Sequence, residues 1–293
     1  MRIFVTGASG FVGSAVVAEL VGAGHEVTGL ARSPESADAV AAAGAVPHRG
    51  DLTDLAGLRA AAEDADAVAH LAFHHDFTDF ERASAMDQAA IAALGETLAG
   101  SNRPLVVTSG MAVVSSAGLI TEADPAAPGI PRQSEAAALG FAQRGVRALA
   151  VRLPPTVHGK GDHGFVPRLI DIARETGVAA YPAEGANRWA AVHRFDAARA
   201  FRLALESDIP AGSIVHAVAE EGIPTRVIAE TIGAHLDLPV RSAQPDHFGW
   251  LGAFFALDLA ASSAHTRKVL GWQPTEIGLM EDLAQGHYFT PRP

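Results

Sequence analysis

Residues 2–13, Arg2-Ile3-Phe4-Val5-Thr6-Gly7-Ala8-Ser9-Gly10-Phe11-Val12-Gly13, run from a short apolar strand into a turn with glycines at positions 7, 10 and 13. Ile3, Phe4 and Val5 suit a strand buried on both faces. Gly7 and Gly10 free the turn of Cβ atoms so that backbone N–H groups can approach a pyrophosphate, and Gly13 lets the next helix pack close to the strand. That helix, expected from Phe11 to about Val21, turns its positive end toward the phosphates. Ser9 adds a hydroxyl donor, and Phe11 and Val12 belong to the same cradle. Strand before and helix after supply the context that a dinucleotide-binding signature requires.

Outward from this turn, apolar strands alternate with Ala-rich helical stretches, the pattern of successive βαβ units. Strands read at 2–6, 26–30, 45–48, 66–72, 104–108 and 147–153, with helices near 11–22, 35–43, 54–63, 81–100 and 132–144. The expected class is α/β, a doubly wound parallel Rossmann sheet with a smaller C-terminal substrate-binding lobe. The texture changes after Leu153, at Pro154-Pro155 and the glycines 159, 161 and 164. Residues 1–155, with 190–218 returning to them, are assigned to the dinucleotide domain, and 156–189 and 219–293 to the substrate lobe. Further helices read near 165–176, 223–236 and 278–286, and a strand near 213–218.

A chain of 293 residues that is 48% hydrophobic can bury a large core. Its net charge of -11 and pI near 5.6 argue against nucleic acid or an anionic membrane as partner, because phosphate surfaces need a basic footprint. With no cysteine, disulfides and thiolate metal sites are excluded. No leader-like segment precedes the first strand and no long apolar run follows, so a cytoplasmic protein acting on a small molecule is expected.

Dinucleotide sites selective for the unphosphorylated ribose place a carboxylate about 20 residues past the glycines. Here the second strand ends Leu30-Ala31-Arg32-Ser33, which offers a guanidinium and a hydroxyl in its place. Arg32 and Ser33 are therefore expected to hold a 2′-phosphate, making the cofactor NADP(H). Asp51-Leu52 closes the third strand, where a carboxylate can meet the adenine amino group or cap the following helix. Leu71-Ala72-Phe73 ends the fourth strand along the pyrophosphate and ribose.

These residues resemble the extended short-chain dehydrogenase/reductase family, of the kind related to nucleotide-sugar epimerases and dihydroflavonol reductases. The resemblance runs nearly end to end. Its carriers are Thr6–Gly13, Gly50-Asp51-Leu52-Thr53, His70-Leu71-Ala72, Val107-Thr108-Ser109, Arg152–Gly159, Val192-His193 with Asp196, and Leu270-Gly271-Trp272-Gln273-Pro274. It implies that Thr108 and Ser109 border the cofactor and that Pro154, Pro155, Thr156 and Val157 contact the nicotinamide. It also implies a homodimer through a two-helix contact.

The family's usual catalytic set is a Ser or Thr after the fifth strand and a Tyr-x-x-x-Lys on the next helix. Gly110 stands at the serine position, Pro131 at the tyrosine and Glu135 at the lysine. A ketone reduced by hydride becomes an alkoxide that needs a proton donor. An iminium carbon is already cationic, so a carboxylate such as Glu135 would stabilise it. His75, followed by Asp76, is the expected acid, with Ser109 and Glu135 completing the catalytic set. Arg132 and Ser134 read as a helix start. Met111, His74, Trp250 and Phe254 are the expected substrate contacts, the two aromatics supplying an apolar lid or part of the core. His158, His163 and His193 lack the compact spacing of a metal site. The leading expectation is thus an NADP(H)-dependent ketoreductase or imine reductase for a small, largely apolar substrate. The alternatives are an NADP(H)-binding redox sensor without turnover and a sugar-nucleotide-type epimerase or dehydratase.

Overall fold

The computed structural model describes residues 1–74, 79–114, 118–127, 129–130 and 132–290. Short apolar segments form the strands β1 (Arg2–Thr6), β2 (Glu26–Ala31), β3 (Val46–Arg49), β4 (Ala67–His70), β5 (Pro104–Gly110) and β6 (Arg147–Leu153). The linking helices are α1 (Phe11–Gly22), α2 (Pro34–Ala42), α3 (Leu55–Glu63), α4 (Phe80–Leu98) and α5 (Ser134–Leu139). The rest of the chain contributes β7 (Thr156–His158), α6 (Phe165–Thr176), β8 (Ala179–Pro182), β9 (Arg188–His193), α7 (Arg194–Glu206), β10 (Ile214–His216), β11 (Glu220–Pro224), α8 (Thr225–Leu236), β12 (Val240–Ala243), α9 (Gly252–Phe255), α10 (Ala264–Leu270) and α11 (Leu279–Ala284).

Seven strands make one parallel sheet in the order β3-β2-β1-β4-β5-β6-β10. The order reverses between β1 and β4, the switch point where such sheets open a crevice at their carboxyl ends. Two packed layers hold the sheet. Val16, Val17 and Leu20 of α1 share one core with Phe201 and Leu205 of α7, while Leu58, Ile91 and Leu94 of α3 and α4 share another with Phe4 and Leu105. The fold is thus the doubly wound dinucleotide-binding type.

The helix expected over 132–144 is shorter than its composition suggests: α5 ends at Leu139 and passes at Gly140 into a 3-10 turn through Arg144. Gly145 ends the turn with φ +73°, the left-handed conformation that glycine adopts without strain. In the second half, β11-β9-β7 form a three-stranded sheet and β8 pairs with β12. Within 190–218, β9 pairs with β7 and β11, whereas α7 lies against α1 and β10 extends the main sheet. A separate core of Trp189, Phe248, Leu251, Phe255 and Leu279 fills this half. The Asp196 carboxylate accepts from the Thr275 and Glu276 N–H groups, and its carbonyl from Trp272 Nε1, pinning the Trp272 segment to α7. No helix among the described residues is long and apolar enough to cross a membrane.

Candidate active site

The glycine turn closes as its sequence requires. Gly7 has φ +68°, and a Cβ there would lie 2.7 Å from the Ala72 nitrogen; a Cβ on Gly13 would lie 1.9 Å from the Gly7 carbonyl oxygen. Strand, turn and helix are therefore in backbone contact. Helices α2, α3 and α4 are each capped by a side chain, from Ser33, Asp54 and Asp79. Helix α1 begins at Gly10 with no side-chain cap and no acid in its first turn, so its leading N–H groups are left for a ligand. That arrangement fits a dinucleotide's diphosphate. Arg194, which the sequence did not single out, adds a cation: it donates to Ser14 Oγ at 2.8 Å and lies 4.6 Å over the Phe11 ring.

The two residues expected to hold a 2′-phosphate are placed differently from one another. Ser33 Oγ accepts from Ser36 N at 3.2 Å and the Ser33 N–H donates back to Ser36 Oγ at 2.9 Å, a closed capping box on α2. Arg32 is exposed beside it. Asp51 accepts from the Thr53 hydroxyl at 2.6 Å and its N–H at 2.7 Å, which holds its carboxyl below the usual range. The cap of α3 is Asp54, so Asp51 organises the turn ahead of it.

At the carboxyl edge a largely buried chain of hydrogen bonds joins β1, β4, α4, α5 and β5. The Ala72 N–H donates to Thr6 Oγ1 at 3.2 Å, and Thr6 Oγ1 meets His70 Nδ1 at 2.9 Å. His70 Nε2 reaches Asp87 Oδ1 at 3.0 Å, and Ser134 Oγ donates to Asp87 Oδ2 at 2.5 Å. Arg132 Nε then donates to Ser134 Oγ at 3.1 Å, and its Nη2 to the Thr108 carbonyl at 3.3 Å. With the His70 proton on Nε2, every link has one donor and one acceptor. The Arg132 guanidinium lies 4.3 Å over the Phe73 ring. The sequence pointed to this chain only in part: Arg132 and Ser134 follow the position where the family carries tyrosine, but Asp87 is an unremarkable helix residue until the fold brings it to His70.

Glu135 borders the same cavity as Arg132 but is not a member of this hydrogen-bond chain. Its carboxylate grips Arg152 through Oε2 to Nε at 2.8 Å and Oε1 to Nη2 at 2.7 Å, both residues buried. Its charge is spent on that guanidinium, not on a reacting cation. Ser109 and Met111 are buried on and just after β5, Leu71, Ala72 and Phe73 are half-buried, and His74 is exposed. His75 lies outside the described residues. On the stretch from Pro154 to Val157, Pro155 and Val157 are half-buried and Thr156 Oγ1 is buried with no partner among the described residues. The helical spacing read over 251–255 is interrupted upstream at Gly249, with φ +56°, so Trp250 is 56% exposed while Phe254 packs 4.7 Å from Phe165. His158 bonds Asp282 at 2.9 Å, His193 accepts from the Phe195 N–H at the start of α7, and His163 stands against Phe11.

Comparison with known proteins agrees with the fold and corrects the chemistry. The family model described as NAD dependent epimerase/dehydratase family matches residues 3–98. An uncharacterized protein of Schizosaccharomyces pombe is 52% identical over 296 residues, covering 99% of this chain and all of that one. Among solved structures, the dTDP-glucose 4,6-dehydratase DesIV of Streptomyces venezuelae, with NAD and TYD bound, is similar with TM-score 0.79 and 21% identity over 99% of this chain and 97% of that one. MoeE5 in complex with UDP-glucose and NAD has TM-score 0.75 and 22% identity over 98% and 97%. Both hold NAD, which overturns the expectation of NADP(H) drawn from Arg32 and Ser33. The expected ketone or imine reductase for an apolar substrate falls with it: the similar structures hold TYD or UDP-glucose beside NAD, and Glu135 is bound to Arg152. The chain belongs to the NAD-dependent epimerase/dehydratase family of extended short-chain dehydrogenase/reductases.

Proposed function

We propose that this chain is an NAD-dependent enzyme of the epimerase/dehydratase type acting on a nucleotide-linked sugar. The observation that carries the reading is the uncapped start of α1 at Gly10, seated on the switch point of the sheet by glycines that admit no side chain. Gly7, Ser9, Gly10, Phe11, Val12 and Gly13 hold the diphosphate in this reading, with Asp51 and Leu52 at the adenine. Leu71, Ala72, Phe73, Thr108 and the stretch 154–157 line the remaining half of the dinucleotide. The lobe from 156–189 and 219–293 covers the substrate in this reading, with Met111 and Phe254, which share its apolar core, as the apolar contacts. NAD, when bound, supplies a two-electron hydride acceptor. The chain's own part is to bind, orient and stabilise charge. Because Pro131 and Glu135 stand where a phenol and an amine would, proton transfer falls to other groups at this edge, of which Ser109 and His74 are the described candidates. With no cysteine in the chain, a reducing compartment such as the cytoplasm suits it.

The test is direct. Titration of the purified protein with NADH and NADPH is expected to show tighter binding of NADH, and NAD-loaded protein mixed with UDP- and dTDP-hexoses is expected to show a transient 340-nm signal. Failure to bind NADH would defeat the reading at its base. Binding of NADH with no hydride transfer from any nucleotide sugar would defeat the substrate assignment.

A further inference from the structure

We propose that Arg132 is the substrate-holding cation of this site, its guanidinium taking an anionic oxygen of the substrate next to the position, Pro131, where the family carries its tyrosine. The inference rests on the reading of the site given above and adds to it a residue and a substrate chemistry. Three observations carry it.

The first is position. Arg132 touches the Thr108 carbonyl near the end of β5 and stacks on Phe73 just past β4, one residue from the Ala72 N–H that Thr6 holds beside the glycine turn. This is the carboxyl edge at which such sheets bind ligands.

The second is charge. Arg152, Arg188, Arg199 and Arg202 each have a carboxylate within ion-pair distance, whereas Arg132, like Arg147 and Arg194, has none among the described residues, and of these three only Arg132 stands at the carboxyl edge beside Phe73 and Thr108. Asp87 is one hydrogen bond removed, through Ser134. Burial pushes the Arg132 pKa down and Asp87 opposes it, yet a guanidinium stays charged in proteins. A half-buried cation drawn out of water in this way is stabilised when a counter-charge arrives. A ligand oxygen supplies one.

The third is unused donors. Of the five guanidinium N–H groups, Nε–H serves Ser134 and one Nη2–H serves Thr108, while Nη1 makes no hydrogen bond among the described residues. Arg132 lines a cavity of about 170 Å³ together with Ile130, Gln133, Ala136 and Glu135, whose carboxylate is already neutralised by Arg152. Its plane is fixed on one side by Phe73 and at Nε by the Ser134–Asp87–His70–Thr6 chain, which leaves a rigid fork of the kind that matches carboxylates. Because an arginine gives up no proton at neutral pH, its part is to hold charge. The substrate accordingly carries either a carboxylate near the reacting carbon, as in a uronic acid, or a hydroxyl oxygen that gains negative charge as its proton passes to a base at this edge and loses it again as hydride leaves the carbon for NAD.

Oxamate, a small carboxylate, is the probe for the cation itself, titrated into NADH-saturated protein by the change in NADH fluorescence. Wild type is expected to bind it, Arg132→Gln to bind it at least about tenfold more weakly, and Arg132→Lys to recover part of the loss. UDP-glucuronic acid against UDP-glucose then separates the two sources. A preference for the acid that disappears in Arg132→Gln identifies a carboxylate. Equal binding, with hydride transfer slowed about 100-fold in Arg132→Gln, identifies an oxygen that gains charge. Thermal unfolding and NADH affinity of both variants establish that the fold is kept. Oxamate binding that ignores Arg132, or none to wild type loaded with NADH, overturns the proposal while the cofactor reading stands. An Arg132-dependent oxamate site in protein that binds neither nucleotide sugar overturns only the sugar assignment, and a chain that binds no NADH overturns both.

Discussion

Glu135 and Arg152 face one another in a two-bond ion pair of 2.7 and 2.8 Å inside the fold, where the family's lysine position meets β6. The Arg152 guanidinium also donates to the Asp124 carbonyl at 2.8 Å. Removing one charge from a buried pair leaves the other uncompensated, at a cost of about 3–5 kcal/mol. Glu135→Leu and Arg152→Met are each expected to lower unfolding free energy by roughly that amount in urea titrations, and Glu135→Leu/Arg152→Met by distinctly less than their sum. Additive losses would mean that the two charges do not depend on each other.

The glycines differ sharply in what a methyl group would meet. Gly13→Ala places a Cβ 1.9 Å from the Gly7 carbonyl oxygen, and no side-chain movement relieves a backbone clash. It should abolish NADH binding and destabilise the fold by about 2 kcal/mol or more. Gly22→Ala, at the end of α1 with open space around it, should instead stabilise by about 0.5–1 kcal/mol and leave NADH affinity unchanged. Equal NADH affinity in the Gly13 variant would remove the basis for placing the diphosphate here.

Elements governed by local rules were legible in the sequence. Gly13, which a Cβ would drive into the Gly7 carbonyl, and the apolar runs of β1, β4 and β6 are marked by residue type within a short window, and the sheet formed as expected. The misreadings share one cause, a partner distant in the chain or a choice between two local ones. Glu135 looks like a replacement for an amine until Arg152 arrives 17 residues later, and Ser33 looks like a phosphate donor although Ser36 completes its capping box. Asp87 could not be singled out at all, because its meaning comes from His70 and Ser134, 17 and 47 residues away.

Asp162 is a buried carboxyl between the Gly164 N–H at 2.7 Å and the Tyr288 hydroxyl at 3.2 Å, and burial pushes its pKa up to about 6 against those two bonds. A folded-state value above the unfolded one near 3.8 means that the native state takes up the proton first as pH falls. The destabilising cost of the buried charge is therefore full above about pH 6 and relieved between about 6 and 4. Between pH 7.5 and 4.5, wild type should gain stability relative to Asp162→Asn by on the order of 2 kcal/mol in urea titrations. A difference independent of pH would show that Asp162 is ionised throughout.

The chain from Thr6 to Arg132 passes through a single carboxylate, so its members should behave as one unit. Asp87→Ala leaves the His70 Nε2–H and the Ser134 hydroxyl buried without acceptors, and is expected to cost about 2–4 kcal/mol. Ser134→Ala alone removes one bond to Asp87 and the anchor of Arg132 Nε, but in the Asp87→Ala background the first of these is already gone. A double-mutant cycle on this pair should return a coupling of about 1–2 kcal/mol. Ser33→Ala, which removes only the cap of α2, should cost about 1 kcal/mol and add to Asp87→Ala within a few tenths, since the two share no partner. If Ser134→Ala added to Asp87→Ala just as Ser33→Ala does, Arg132 would be held by Phe73 and Thr108 alone, and the link between the glycine turn and the substrate-side cation would be broken at its middle.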